Sequence, residues 1–410
     1  LFLGFNLLLN CSATHSVVNN YESNRALMFH PDFVIYHQED MFSTLFFQIN
    51  TDEVLYTRSD RDQPFVAKLK LEYTIYEDGN KHLIDSGSLF IKDVYQDKKN
   101  SYINGKNIFK FSNGIKGIME LNLIDLNRSR EFKKHLLIDK QVLSNIQFFH
   151  LQDSLGYTRF DHHFFNDQLI YITSDLNSNK LLYALRNNTV FPLASPPFSK
   201  SVSKTFPKKT TFADHLVFAD QNTLSYQLPS EGFVHFQLDT LNDNGFTIFN
   251  FHDKYPYIKT TEHMISPVRY LCSRKEYESL RSMENPKDAI DEFWLSKTTS
   301  SERARELIRR YYSRVQLANE VFSSYVEGWM TDRGLVSIIF GPPKLVRRGK
   351  GTEIWIYGDE TNMNTLKFTF SKVDNPFSAN DYELKRNYSY KSSWYRAVDT
   401  WRNGRVYWEQ

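Results

Sequence analysis

The stretch Glu327–Pro343 reads EGWMTDRGLVSIIFGPP. It divides into a glycine that stops a helix, a polar turn, an apolar run and a Gly-Pro-Pro closure. Gly328 breaks the preceding helix, and the short oxygen-bearing side chains of Thr331 and Asp332 suit hydrogen bonds to backbone amides in a tight turn. Leu335–Phe340 is short, apolar and β-branched, so it is expected to be a strand, closed by Gly341, Pro342 and Pro343. Turn chemistry accounts for each position without a reaction. On this reading Asp332 is a cap, Asn should replace it with modest loss, and Ala should cost about 1 kcal/mol. Arg333 is expected to pair with Asp332 or Glu327, and Trp329 to plug the junction between helix and sheet.

Working outward, helical patterning fills the chain just before this stretch. Asp288–Lys297 predicts a short helix with Phe293 and Trp294 as its apolar content. Ser301–Val326 predicts a long one, with Ile308, Tyr311, Val315, Ala318 or Asn319, and Phe322 recurring at three and four residues. Arg303, Arg305, Arg309, Arg310 and Arg314 crowd the remainder and are expected to be solvated beside Glu302, Glu306 and Glu320. Downstream, Glu353–Tyr357 and Leu366–Phe370 read as strands that would join Leu335–Phe340 in a three-stranded antiparallel sheet. Tyr390–Gln410 reads as an amphipathic helix carrying Trp394 and Trp401, with an aromatic tail.

Gly328-Trp329-Met330-Thr331-Asp332-Arg333-Gly334, followed by Gly341-Pro342-Pro343, resembles the signature of the GWxTD-domain family. Phe293-Trp294, Arg314-Val315, Ala318-Asn319, Trp355-Ile356-Tyr357, Trp394-Tyr395-Arg396 and Trp401–Val406 match in support. The resemblance covers about 266–410. Leu335 stands where a second basic residue is usual, and Ser296–Ser300 replaces an Arg-Asp-Pro-like turn. The family occurs in bacterial envelope proteins, many from Bacteroidota, so the resemblance implies an envelope protein. It brings no established activity.

Before the helices the chain is β-rich. Phe33–His37, Leu45–Asn50, Phe65–Tyr76, Gly87–Val94 and Ile118–Ile124 are short runs; the third alternates with period two and ends in Asp78-Gly79, a hairpin signal. This spacing predicts an immunoglobulin-like β-sandwich over 29–128. A second β-rich domain is expected over 129–265, with strands at Ile170–Thr173, Leu181–Leu185, Thr211–Val217, Gly232–Leu238 and Phe246–Phe251. The proline- and lysine-rich stretch Pro192–Lys209 reads as an exposed loop or linker. The whole is an α+β multidomain chain, ending in a module of helices on a small antiparallel sheet over 266–410.

At its start, Leu1–Leu9 is apolar but too short to span a bilayer. It reads as the core of a signal peptide whose basic segment lies upstream, with 1–28 as signal and flexible tether. Leu8-Leu9-Asn10-Cys11 resembles a lipobox, which makes Cys11 the expected lipidation site and gives a membrane anchor; ordinary secretion to the periplasm is the alternative. No acidic export cluster follows, which resembles lipoproteins kept on the periplasmic face of the outer membrane.

The 410 residues carry 50 basic and 48 acidic side chains. Such a balance gives no strong field for nucleic acid, so no nucleic-acid partner is expected. Thirty-three Phe and 24 Tyr suit β-sandwich cores. With two cysteines in the whole chain there is no disulfide framework, and Cys272 reads as a small buried hydrophobe. Asp161-His162-His163 with Asp167 is the nearest approach to a metal set, but adjacent histidines on a strand point to opposite faces. No metal or other cofactor is expected. Two functions remain open. One is a non-catalytic envelope lipoprotein that binds or assembles other envelope proteins. The other is a hydrolase or glycan-processing enzyme using Asp332 or Glu327 as acid or base.

Overall fold

In the computed structural model the described residues are 14–16, 30–38, 41–80, 82–96, 101–161, 163–164, 169–176, 181–200, 214–218, 222–229, 232–349, 351–359 and 365–407. The chain forms two compact units, neither continuous in sequence: 24–189 with 207–253, and 1–23 with 190–206 and 254–410.

Among the described residues the strands of the first unit pair antiparallel in four sheets. Strand Val66–Glu77 buries Ala67, Leu69, Leu71 and Ile75 on one face, as period two requires. It lies between Leu83–Val94 and Lys116–Asp125, with Arg130–Asp139 beyond. Gly79 makes the predicted hairpin turn at φ 94°. Asp32–His37, Phe42–Asn50 and Tyr102–Lys110 form a second sheet, and one core of Phe33, Leu45, Phe47, Leu69 and Leu121 joins the two. Gly105 lies against the Phe47 ring, where a Cβ would come within 2.2 Å of it.

A second pair of sheets follows in the same unit. Leu169–Thr173 lies between His150–Gln152 and Thr223–Gln227, while Leu181–Asn187 and Gly232–Gln237 are central in a four-stranded sheet with Asp214–Val217 and Phe246–Asn250. Phe148, Ile172, Leu182, Phe236 and Ile248 make their common core.

The second unit contains helices Thr261–Ile265, Arg274–Ser282, Pro286–Leu295, Ser301–Phe322, Asp332–Phe340 and Lys391–Arg402. Its antiparallel sheet runs Thr14–Ser16, Leu345–Gly349, Thr352–Tyr357, Leu366–Lys372, Tyr382–Leu384. Among the described residues no helix is long and apolar enough to cross a membrane.

Two expectations are corrected here. Leu335–Phe340 is not a strand but the body of helix Asp332–Phe340, and the sheet forms without it. All nine residues of that helix are buried. An element buried on every side shows no amphipathic period, so a short apolar run cannot announce which of the two it is. Likewise Gly328 does not end the long helix, which stops at Phe322 with Ser323 in extended geometry.

Pro192–Lys209 also differs from the expected exposed loop in its described part. Phe191 and Pro197 are buried, and Leu193, Ala194 and Phe198 pack on the core of the second unit. Residues 201–209 lie outside the described residues.

The motif as a candidate functional site

The GWxTD stretch begins with a close approach of backbones. A Cβ on Gly328 would sit 1.9 Å from the Ala318 carbonyl oxygen, and one on Gly334 1.9 Å from that of Gly328. Helix Ser301–Phe322, the turn Gly328–Met330 and helix Asp332–Phe340 therefore pack at a distance only glycine permits. Gly334→Ala is expected to force the turn off the motif helix at a cost of about 1–3 kcal/mol, the usual scale for overpacking. A thermal unfolding curve unchanged from wild type would show that the packing has slack.

Thr331 caps the motif helix. Its hydroxyl accepts from the Gly334 N–H at 3.0 Å and donates to the Gly328 carbonyl at 2.8 Å. The far end is capped by side chains of other elements. Arg314 donates to Ile338 O, the Trp401 indole to Ile339 O, and the Tyr357 hydroxyl to Gly341 O. Gly341 itself has φ 85°, with the Arg314 guanidinium where a Cβ would go. The expected solvated Arg314 is thus corrected: it is 1% exposed, lies over Trp401 and also donates to Tyr407 O. It falls three residues from Tyr311 and four from Ala318, so the helical period did place it on the buried face.

Asp332 is the first residue of the helix, and its carboxylate leaves the turn altogether. Both oxygens accept from Arg386, at 2.5 and 2.9 Å, and Oδ2 also accepts the Leu384 N–H at 2.7 Å. Both partners are buried. Arg333, expected to pair with Asp332 or Glu327, does neither. It faces Glu353 at 3.5 Å, donates to Asn380 O at 3.0 Å and lies over the Tyr382 ring at 4.1 Å. Glu353 is shared with Arg348 and the Trp355 indole. Successive residues on the helix thus reach two different partners, which fixes its rotation against the sheet.

Trp329 is buried among Tyr270 and the surrounding core. Its amide donates to Asn319 Oδ1, its carbonyl accepts from the Tyr270 hydroxyl, and its indole donates to Glu327 Oε2 at 2.9 Å. Glu327 as a residue is half-buried, but its carboxyl group is enclosed. That enclosure is the quantity that matters for its charge. Desolvation pushes the carboxyl up to about 7, against the smaller opposing effect of the indole hydrogen bond. A raised carboxyl binds its proton in the folded state where the unfolded chain has lost it, so its effect lowers stability as pH rises from about 4.5 to about 7. Glu327→Gln keeps the acceptor for the indole. It is expected to stabilise the protein by about 1–2 kcal/mol at pH 8 and to change little at pH 4. An equal effect at both pH values would show that the carboxyl titrates normally.

Cys272 is buried as expected, and desolvation pushes its thiol up to about 12. It lines a cleft of about 700 Å³ with Leu193, Pro196, Tyr270, Trp394 and Tyr395, beside the ion pair Glu276–Arg402 at 2.7 Å. Neither Asp332 nor Glu327 lines this cleft. Cys11, His162 and Asp167 lie outside the described residues; His163 bridges Phe249 and its ring packs at a tilt against Phe249 and Phe251, and Asp161 pairs with Arg159.

The sheets and the motif together define a mixed protein, β-rich in its first part and helical on a small sheet in its last. Residues 232–403 match the GWxTD domain family, so the chain contains a GWxTD domain. The match begins with strands Gly232–Gln237 and Phe246–Asn250, earlier than the resemblance read from the motif. A comparison with curated proteins found no match. Among solved structures, Bacteroides uniformis beta-glucuronidase 2, covalently bound to cyclophellitol-6-carboxylate aziridine, is 13% identical, covering 42% of this chain and 16% of that one with a TM-score of 0.19. Red sea bream transglutaminase is 8% identical, covering 53% of this chain and 29% of that one with a TM-score of 0.20. The chain spans less than a third of either, and likenesses this slight say nothing about activity.

Proposed function

We propose that this protein is a non-catalytic binding or assembly component of the cell envelope. In this reading Cys11 carries a lipid that holds it to the periplasmic face of the outer membrane, and other envelope proteins are its partners. The observation that carries the reading is the fate of the motif. Asp332 has both oxygens taken by Arg386 and a backbone amide, Thr331 is a helix cap, and Arg333 is held by Glu353 and Asn380. A general acid or base needs a proton-accepting atom within reach of a substrate, and these atoms are engaged within the fold. The paired sheets around one core in residues 32–139 are consistent with an immunoglobulin-like sandwich, an architecture that serves binding in many settings.

Affinity capture of the tagged protein from membranes tests the function. Recovery of stable envelope partners in stoichiometric amounts is expected, and recovery of the protein alone counts against it. Metabolic labelling with a fatty-acid analogue tests the anchor. Wild type should be labelled and Cys11→Ser should not; equal labelling, or none in either, removes the anchor.

A further inference from the structure

The segment Val190–Lys200 reads VFPLASPPFSK and has neither helix nor strand. It belongs to the motif unit, although the strands before and after it in the chain belong to the other. Each of its three prolines holds the residue before it near extended geometry, and the segment closes in a tight turn in which the Ser199 N–H donates to Pro196 O at 3.0 Å. The motif unit holds this strap by its main chain. The Ala194 N–H donates to Met330 O, Arg386 Nη2 donates to Ser195 O, and the Asn387 N–H donates to Pro197 O, each at 3.0 Å. Two rings anchor its ends: Phe191 packs on Tyr325 at 4.6 Å and Phe198 on Tyr395 at 5.4 Å between centroids. Open space of about 700 Å³ remains along one side of it.

Main-chain hydrogen bonds that give affinity, with a few side-chain contacts that give selectivity, are how protein domains read extended peptides. Prolines lower the ordering cost of such a ligand. Met330 lies inside the signature, and Arg386, which reads the Ser195 carbonyl, is the arginine that Asp332 clamps. Asp332 is then a positioning residue: it aims the Arg386 guanidinium at the strap.

We propose that the motif unit is a reader of extended, proline-containing peptide segments bearing two aromatic anchors, and that Val190–Lys200 is its occupant in cis, exchanged for a like segment of a partner protein. This rests on the binding reading above and names the class of ligand. A tethered occupant competes at an effective concentration on the order of millimolar, so free peptide gains access chiefly when the strap is weakened.

The full-length chain tests this with a fluorescent peptide of sequence Val190–Lys200. The peptide should bind Phe198→Ala at least tenfold more tightly than wild type. Adding Tyr395→Ala, on the open face of the terminal helix, should reverse the gain, and a peptide with both phenylalanines replaced by alanine should not bind. A folded Phe198→Ala chain that takes no peptide overturns the proposal. Should that variant fail to fold, hydrogen exchange of the wild-type chain decides. The Ala194 amide should exchange at least tenfold faster than amides of helix Asp332–Phe340, because a displaceable strap opens locally. Exchange at the same rate would make the strap part of the core and overturn the proposal. Stable partners recovered from membranes without such a segment would leave the binding reading standing and remove this one.

Discussion

Asp332→Asn is expected to destabilise the protein nearly as much as Asp332→Ala, each by about 3–5 kcal/mol. The reason is the partner rather than the residue. Asp332 and Arg386 form a two-pronged pair, both buried, with Asp332 only 3% exposed. Removing the negative member leaves a guanidinium charge enclosed without its counter-ion, and a neutral amide offers one acceptor where the carboxylate offers two. A turn cap would behave differently, since Asn caps about as well as Asp. Replacing both partners with apolar residues of similar volume should recover much of the loss, because the cost arises from the stranded charge. Arg386→Lys should not rescue, as an ammonium cannot reproduce the paired fork. Urea unfolding of the two single variants and the double variant reads this directly. An Asp332→Asn protein within about 1 kcal/mol of wild type would return Asp332 to the role of a simple cap.

That contrast shows which parts of the site the sequence exposes. The turn was legible in part: Thr331 accepts a backbone amide as its residue type suggests, but it opens a helix where a strand was expected, and Asp332, the expected cap, turns to Arg386. The close packing at Gly328 and Gly334 has a signal in the glycines themselves. The partner of Asp332 had none, because Arg386 is 54 residues away and is one of many arginines with no periodic pattern around it. Pairing across such a distance is decided by the sheet, through strand Tyr382–Leu384, which lies just before it.

The same logic separates the strands that were found from those that were missed. Val66–Glu77 alternates strictly and could be read. Tyr102–Lys110 could not, because its buried positions are Ile103 and Phe109 with Gly105 between them, where the space is filled from the partner strand by Phe47. Phe340 and its neighbours misled for the opposite reason. Their uniform apolarity is what a helix enclosed by a long helix, a sheet and a terminal helix requires, and it is also what a buried strand looks like. The strap at Val190–Lys200 was invisible for a third reason. Proline-rich composition marks an extended backbone, not whether something receives it.

Acidification is expected to unfold the β-rich unit first. His37 and His235 are each about 1% exposed and His150 is half-buried. Desolvation lowers all three from 6.5 to about 4. His37 lies between Ser43 and Gln147 at 2.9 and 3.0 Å, and the nearby Lys140 ammonium opposes a second positive charge. His235 bonds Thr247 at 2.9 Å, and the Asp243 carbonyl only partly offsets its burial. Between pH 6.5 and about 4 the unfolded chain binds protons that these folded rings refuse. Their contribution is therefore intact above pH 6.5 and is lost as pH falls through about 4. Two fully buried rings at about 1.4 kcal/mol per pH unit forfeit on the order of 5 kcal/mol together, which is comparable to the whole stability of many domains. In the motif unit Glu327 acts with the opposite sign, gaining over the same interval. Hydrogen exchange at pH 4.5 should show strands Phe42–Asn50 and Gly232–Gln237 losing protection ahead of helix Ser301–Phe322. His37→Gln with His235→Gln removes the titration while keeping polar contacts, and should shift the acid midpoint down by about half a unit or more. An acid transition unchanged in that double variant, or β strands still protected at pH 4, would show that the buried histidines do not set the limit.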